Sequence, residues 1–156
     1  RRVLPGGEVR WISSRGRAFP ATDGRGPRLL GVSTDVTVQR AAAATIAASE
    51  ARFRGVAEAM PQLVWTADAS GRVDYFNDQW RAYTGRPTAD LLGDGWRLVV
   101  HPDDLPRVES AWHAAVADPA DGFDLELRLR RHDGAYRWFK SRGVASRGSD
   151  GTARWY

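Results

Sequence analysis

The chain contains no cysteine. That excludes a disulfide framework, a thiolate metal centre and a cysteine nucleophile, and it fits a reducing, cytoplasmic compartment. Lysine is nearly as scarce: of 23 basic residues only Lys140 is not arginine. The three histidines, His101, His113 and His132, are widely separated and make no metal site by spacing. No run approaches the 18 apolar residues of a membrane-spanning helix, so this stretch is read as making no membrane contact. Paired carboxylates, a nucleophile beside a base and a phosphate-cradling loop are all missing, which predicts a chain that is not itself an enzyme. It opens on Arg1 and reads as a piece of something longer.

What the chain does have is charge, tryptophan and a repeat. The net charge of +4 suggests a nucleic-acid partner at first sight. However, the densest basic run, Arg128, Arg130 and Arg131, alternates with Leu127 and Leu129 beside Asp124 and Glu126, as the wet face of a strand does. No nucleic-acid partner is predicted. There are seven tryptophans in 156 residues. Residues 7–29 overlay residues 134–156 at a constant offset: Trp138 and Asp150 lie 127 positions beyond Trp11 and Asp23. Nine positions of that overlay are identical: Gly7, Arg10, Trp11, Ser14, Arg15, Gly16, Ala18, Asp23 and Gly24. A period of this length belongs to tandem globular modules, not a solenoid.

Read along its length, the chain predicts strands at 8–19 and 28–38 joined by a loop from Pro20 to Pro27. From Val38 to Met60 it is rich in Ala, Glu, Gln and Arg, which favour a helix, with Thr37 at the N-cap. Ala42, Ile46, Ser49, Phe53, Val56 and Met60 follow a four-three spacing over fewer than three heptads. Two readings stay open: an amphipathic helix packed on its own domain, or a parallel dimer helix. Strands follow at 63–67 and 72–76 around the turn Asp68–Gly71. Asn77 is read as the cap of a helix over 78–84, and Pro87 as opening another. A longer helix runs to Ala117 with Leu105, Val108, Trp112, Ala115 and Val116 as its stripe. The alternation Phe123, Leu125, Leu127, Leu129 marks a half-buried strand. His132-Asp133-Gly134 is a hairpin turn, and the next strand, 135–145, carries aromatics on both faces.

The ordered motifs Leu63-Val-Trp-Thr-Ala-Asp68, Gly71-Arg-Val-Asp-Tyr-Phe-Asn77, Tyr83-Thr-Gly85, His101-Pro-Asp-Asp104 and His132-Asp-Gly-Ala-Tyr-Arg-Trp138 resemble a PAS sensor domain. They are similar to the branch found in bacterial sensor histidine kinases and diguanylate cyclases. The resemblance covers residues 51–156. Residues 6–38 resemble the last two strands of a preceding PAS module, closing on Ser33-Thr-Asp-Val-Thr37 before a signalling helix. The implied fold is α+β: a five-stranded antiparallel sheet with short helices on one face. The implied organisation is the end of one module at 1–37, a connector helix at 38–60, and a PAS domain at 61–156 that lacks the end of its last strand. A sheet left short in this way invites strand 28–37 to pair with it, in cis or from another subunit.

The resemblance implies a cavity between sheet and helices, for which Trp65, Phe76, Trp80, Tyr83, Trp96, Trp112, Leu127 and Trp138 are the candidates. The alternative is that these residues simply fill the core. Flavin adducts and thioester chromophores need the missing cysteine, and haem needs an axial ligand that His113, beside rather than on the apolar stripe, does not offer. The cofactor is therefore unknown, with none expected. The implied function is a regulatory sensor module that relays ligand or partner binding through the connector helix to an output domain in the same polypeptide. A ligand-free dimerisation and relay scaffold is the alternative. A homodimer through Ala42, Ile46, Phe53 and Val56 and a small-molecule ligand are the expected partners.

Overall fold

The structure is a computed structural model and describes residues 1–20, 26–147 and 153–156. It comprises two compact units, Arg1–Phe53 and Arg54–Tyr156. The repeated residues Asp23, Gly24, Asp150 and Gly151 lie outside the described residues.

The first unit is built from hairpins. Strand β1 (Arg2–Val3) pairs with β2 (Val9–Arg10), and β3 (Ile12–Phe19) pairs antiparallel with β4 (Arg28–Asp35) over its whole length. The reversal between β1 and β2 needs a left-handed residue, supplied by Gly7 at φ 83°. Helix α1 (Thr37–Ala59) begins two residues after β4. Thr37 does not cap it as the sequence suggests. Its Oγ1 accepts the N–H of Trp11 at 2.8 Å, and Asp35 Oδ1 takes the Thr37 N–H at 2.9 Å. Arg10 lies 3.1 Å from the other Asp35 oxygen, and the Arg40 guanidinium sits 4.4 Å above the Trp11 ring.

The second unit carries the core. Its sheet runs β6 (Val73–Phe76), β5 (Trp65–Ala67), β10 (Ala153–Trp155), β9 (Ala145–Arg147), all antiparallel. Strand β8 (Tyr136–Gly143) leads into β9 through Val144, whose N–H and C=O both bond Tyr156, and β7 (Phe123–Arg130) pairs with β8. With β8 and β9 counted as one strand, five antiparallel strands result, as the family resemblance implies. Helices α2 (Asp78–Thr84), α3 (Thr88–Leu91) and α4 (Leu105–Ala117) contribute Trp80, Leu91, Val108, Trp112 and Ala115 to one cluster with Val73, Phe76, Phe123, Leu127, Leu129 and Trp155 from the sheet. Short connections, including a 3-10 turn over Gly95–Val99, leave the helices no other surface to bury.

At the sheet edge, strand β4 pairs with β3 inside the first unit. The position beside β5 is taken by β10, through Trp155 opposite Ala67. Three residues suffice because the Trp155 ring, 1% exposed, pins the strand from the core side.

The repeat is deeper than identity suggests. Leu4 N–H bonds Glu8 O at 2.8 Å and Gly7 N–H bonds Leu4 O at 2.9 Å; Arg131 to Ala135 and Gly134 to Arg131 show the same two bonds at the same distances. Gly134, at φ 86°, occupies the turn position of Gly7. Strand β1 therefore matches the end of β7, a third shared strand that the sequence conceals because Arg2 and Val3 stand against Leu129 and Arg130. Beyond the loop the overlay slips by one. Ala18 pairs with Leu29 but Ala145 with Trp155, an offset of 126.

Candidate functional site

Between helices and sheet of the second unit lies a cavity of about 60 Å³. Trp65 on β5, Phe76 on β6, Trp80 on α2, Trp112 on α4 and Leu127 on β7 line it, with Trp96 from the 3-10 turn. These six are sequence candidates that the fold brings together. Val73, Val100, Val108, Phe123, Leu129 and Ser141 complete the wall. Sequence reasoning missed these six because residues on a helix stripe or a strand look like ordinary core. Ser141 is the one with a readable signal: it repeats Ser14 on the inner-facing side of the strand.

Two candidates lie elsewhere. Trp138 points to the other face of β8, is 64% exposed, and lies under the Arg128 guanidinium at 5.3 Å. Alternation along β8 puts it on the face opposite Phe139, Ser141 and Gly143. Tyr83 packs edge-on against Phe139 at 4.9 Å, and its hydroxyl donates to Leu129 O at 3.3 Å. It faces a separate surface cleft with Pro61, Gln62, Leu63 and Lys140, and burial pushes its hydroxyl pKa up.

The wall is stiff. Trp65, Trp112 and Phe123 meet edge-to-face at 5.2 to 6.2 Å, and Trp155 meets Trp112 at 5.0 Å. Trp112 Nε1 donates to Gly71 O at 3.0 Å. The Trp80 indole nitrogen is buried and, among the described residues, has no hydrogen-bond acceptor. Its ring lies 4.6 Å from Phe76.

Phe76 and Trp80 flank Asn77, which is fully buried and does not cap α2 through its side chain as predicted. Its Oδ1 accepts the Val64 N–H at 3.0 Å, and its Nδ2 donates to Ala57 O on α1 and to Gln62 O, both at 2.9 Å. The capping acceptor is Glu58 on α1: one carboxylate oxygen takes the Asp78 N–H at 2.7 Å and the other the Tyr75 hydroxyl at 2.7 Å. Burial, then this bond to a carboxylate, pushes the Tyr75 hydroxyl up to about 12. The last turn of α1 is thus bonded to the backbone that carries two cavity-wall rings.

His101, His113 and His132 do not converge, and among the described residues no three acidic or histidine side chains gather to hold a metal. His101 packs at 4.4 Å on Tyr136 and lies 3.4 Å from Arg128 Nη1. The neighbouring Asp104, 8% exposed, receives Arg128 on both oxygens at 2.7 and 3.0 Å; these bonds hold its carboxyl down at about 2.

Known proteins share this fold. A family model described as PAS fold matches residues 73–156. The chain is 37% identical over 157 residues to an uncharacterised protein, y4lL, of Sinorhizobium fredii, covering 99% of this chain and 19% of that protein. It is 34% identical over 154 residues to the peroxide stress-activated histidine kinase mak1 of Schizosaccharomyces pombe, covering 88% of this chain and 9% of the kinase. It thus spans under a fifth of either relative. Among solved structures, the PAS domain of an HTR-like protein from Haloarcula marismortui superposes with a TM-score of 0.55 at 15% identity, covering 74% of this chain and 93% of that one.

Proposed function

This chain belongs to the PAS fold family, and from that premise we propose that it is a regulatory sensor segment of a multidomain signalling protein. In this reading a small molecule entering the cavity displaces Phe76 and Trp80. Asn77, held between them, carries the displacement to Ala57, and α1 passes it along the polypeptide. The observation that supports the reading is the fully buried Asn77 bridge from the cavity wall to the C-terminal turn of α1. A wall and a helix joined by hydrogen bonds with no solvent share cannot shift independently at low cost. No helix among the described residues is long and apolar enough to cross a membrane, and we place the segment's work in the cytoplasm. The chain itself is proposed to be non-catalytic, with a histidine kinase as the output type that mak1's name suggests. A preceding PAS module is proposed to end at residue 37, with β1 to β4 as its last strands.

The relay has a direct test. Xenon fits an apolar cavity of this size and has no hydrogen-bonding preference. Under xenon pressure, amide signals of residues 76–80 and of Ala57 to Ala59 should move together; in Asn77→Ala only the first group should respond. Silence at Ala57 to Ala59 in the native chain would end the relay reading.

One observation favours the scaffold alternative, in which α1 dimerises and no ligand is bound. Ile46 is 60% exposed and Val56 55%, at heptad spacing with Ala42, Phe53 and Met60. We propose a parallel homodimer along that seam in either case. Sedimentation of Ile46→Glu should then give a monomer where the native chain gives a dimer.

A further inference from the structure

Strand β8 has a strand neighbour on one side only. In the first unit β3 pairs with β4 all the way from Phe19 to Ile12, which lies opposite Asp35. In the second, pairing with the returning strand reaches Val144 and Tyr156, whose backbone groups bond each other at 3.0 and 3.1 Å. Phe139 to Gly143, the counterparts of Ile12 to Gly16, pair with β7 and, among the described residues, with no second strand. Arg128, opposite Trp138, gives its N–H to Asp104 and accepts the His101 N–H on its C=O. The backbone groups of Trp138 therefore point away from β7, and by alternation so do those of Lys140 and Arg142. Since β10 runs between β5 and β9, that side faces the residues leading into β5. A cleft there is lined by Gln62, Leu63, Phe139 and Lys140, with Ala82 and Tyr83 of α2. Three residues of β8 also lack partners that their first-unit counterparts have. Ser14 Oγ lies 2.8 Å from Ser33 Oγ, whereas the Ser141 hydroxyl, on the one polar residue lining the cavity, has no hydrogen bond among the described residues. Arg10 holds Asp35 at 3.1 Å, whereas Arg137 is exposed and, among the described residues, has no ion pair. Trp11 gives its N–H to Thr37 and is 38% exposed; Trp138 is 64% exposed.

We propose that this slot receives the stretch of the same polypeptide that follows Tyr156, as an extended strand the length of Gly31 to Asp35. Its chemistry is read from the first unit: a hydroxyl opposite Ser141, a carboxylate for Arg137 and a second hydroxyl for the Trp138 N–H. An open edge on both sides of a slot is a strong acceptor for a strand, because every backbone group along it is unpaired. Tyr156 already lies in register at the mouth of the slot, and a tethered segment outcompetes a free one by its effective concentration. The hydroxyl at Ser141 sets the outgoing strand against the cavity wall. A change in the cavity then reaches the outgoing segment directly, by a route that does not pass through Asn77 and α1. This rests on the reading of the chain as a segment of a longer signalling protein, and adds to it where the outgoing segment attaches.

The test extends the chain after Tyr156 with a copy of Gly31 to Arg40; a scrambled tail of the same composition is the control. Amide exchange at Trp138, Lys140 and Arg142 should slow by about ten-fold or more with the copied tail and stay unchanged with the scrambled one. Arg137→Gln should return Trp138 to its rate in the unextended chain while Arg142 stays slow, because the carboxylate holds only the far end of the strand. Under xenon pressure the tail amides should shift, and in Ser141→Ala they should stay still. Equal exchange with the two tails, or no slowing with either, overturns the slot. Tail amides that ignore xenon overturn its contact with the cavity. The two proposals fail separately. Silence at Ala57 to Ala59 with slowed exchange along β8 ends the relay through α1 and keeps the slot; movement there with unslowed exchange does the reverse.

Discussion

The two hairpins of this chain share a turn, a glycine at positive φ and two backbone hydrogen bonds of equal length, yet they live in different surroundings. In the second unit the inner face of the hairpin meets Trp65, Trp112 and Trp155. In the first, no described residue is fully buried, and Leu29, Leu30 and Val32 are 79%, 69% and 71% exposed. Their tryptophans differ too. Trp11 is tied to the start of α1 through Thr37 and Arg40, whereas Trp138 lies under Arg128 of its own sheet. The same turn chemistry and strand pairing thus give both hairpins one local geometry, although among the described residues the first unit fully buries no side chain.

Paired substitutions at matching positions test that separation. The largest contrast should come at the last strand. Trp155→Ala should cost about 4 kcal/mol of the second unit's stability in urea denaturation, while Leu29→Ala at the matching place should stay within about 0.5 kcal/mol. Equal effects would mean that the first unit has a core of its own. Next is the shared glycine. A Cβ on Gly143 would lie 2.7 Å from Trp65 Cη2, whereas one on Gly16 would meet Leu30 O at 3.3 Å. Gly143→Ala should therefore destabilise by about 2 kcal/mol and Gly16→Ala by less than about 1, both read as thermal midpoints.

Acid should separate the units as well. The Asp104 carboxyl is held below its ordinary value, so its stabilising share is whole above about pH 4 and is lost as pH falls through about 2. Asp104→Asn should flatten that part of the acid limb in a pH series of denaturation curves. Asp35 is also lowered, chiefly by its bonds to Thr37, but it is exposed, and Asp35→Asn should leave the second unit's acid limb unchanged. The smallest effect is local. Thr37→Val removes the acceptor for Trp11 N–H, and hydrogen exchange at that one amide should quicken about five-fold, the equivalent of about 1 kcal/mol. An unchanged rate would show that the flanking strand pairs, β1 with β2 and β3 with β4, and not the start of α1, hold Trp11.

The sheet of the second unit, its helices and six of the eight cavity candidates were legible in the sequence, because alternation and aromatic content report burial directly. Trp138 was misplaced by the same signal. An aromatic residue on a strand does not say which face it occupies until the partner strand fixes the register. Asn77 was misread for a different reason. An Asn before a helix is usually a cap, and nothing local reveals that Glu58, on the previous helix, takes that task and frees the Asn side chain for the backbone of α1. Strand β1 stayed hidden because a turn and two residues carry almost no hydrophobic pattern.

The central place of β10 bears on how the molecule is made. Ribosomes deliver the chain from its amino end, so the sheet around β5 and β6 waits with a gap until Trp155 leaves the exit tunnel. Until then the rings that will enclose the cavity stay partly wet, and the domain closes late, in a step governed by contacts between its two extremes.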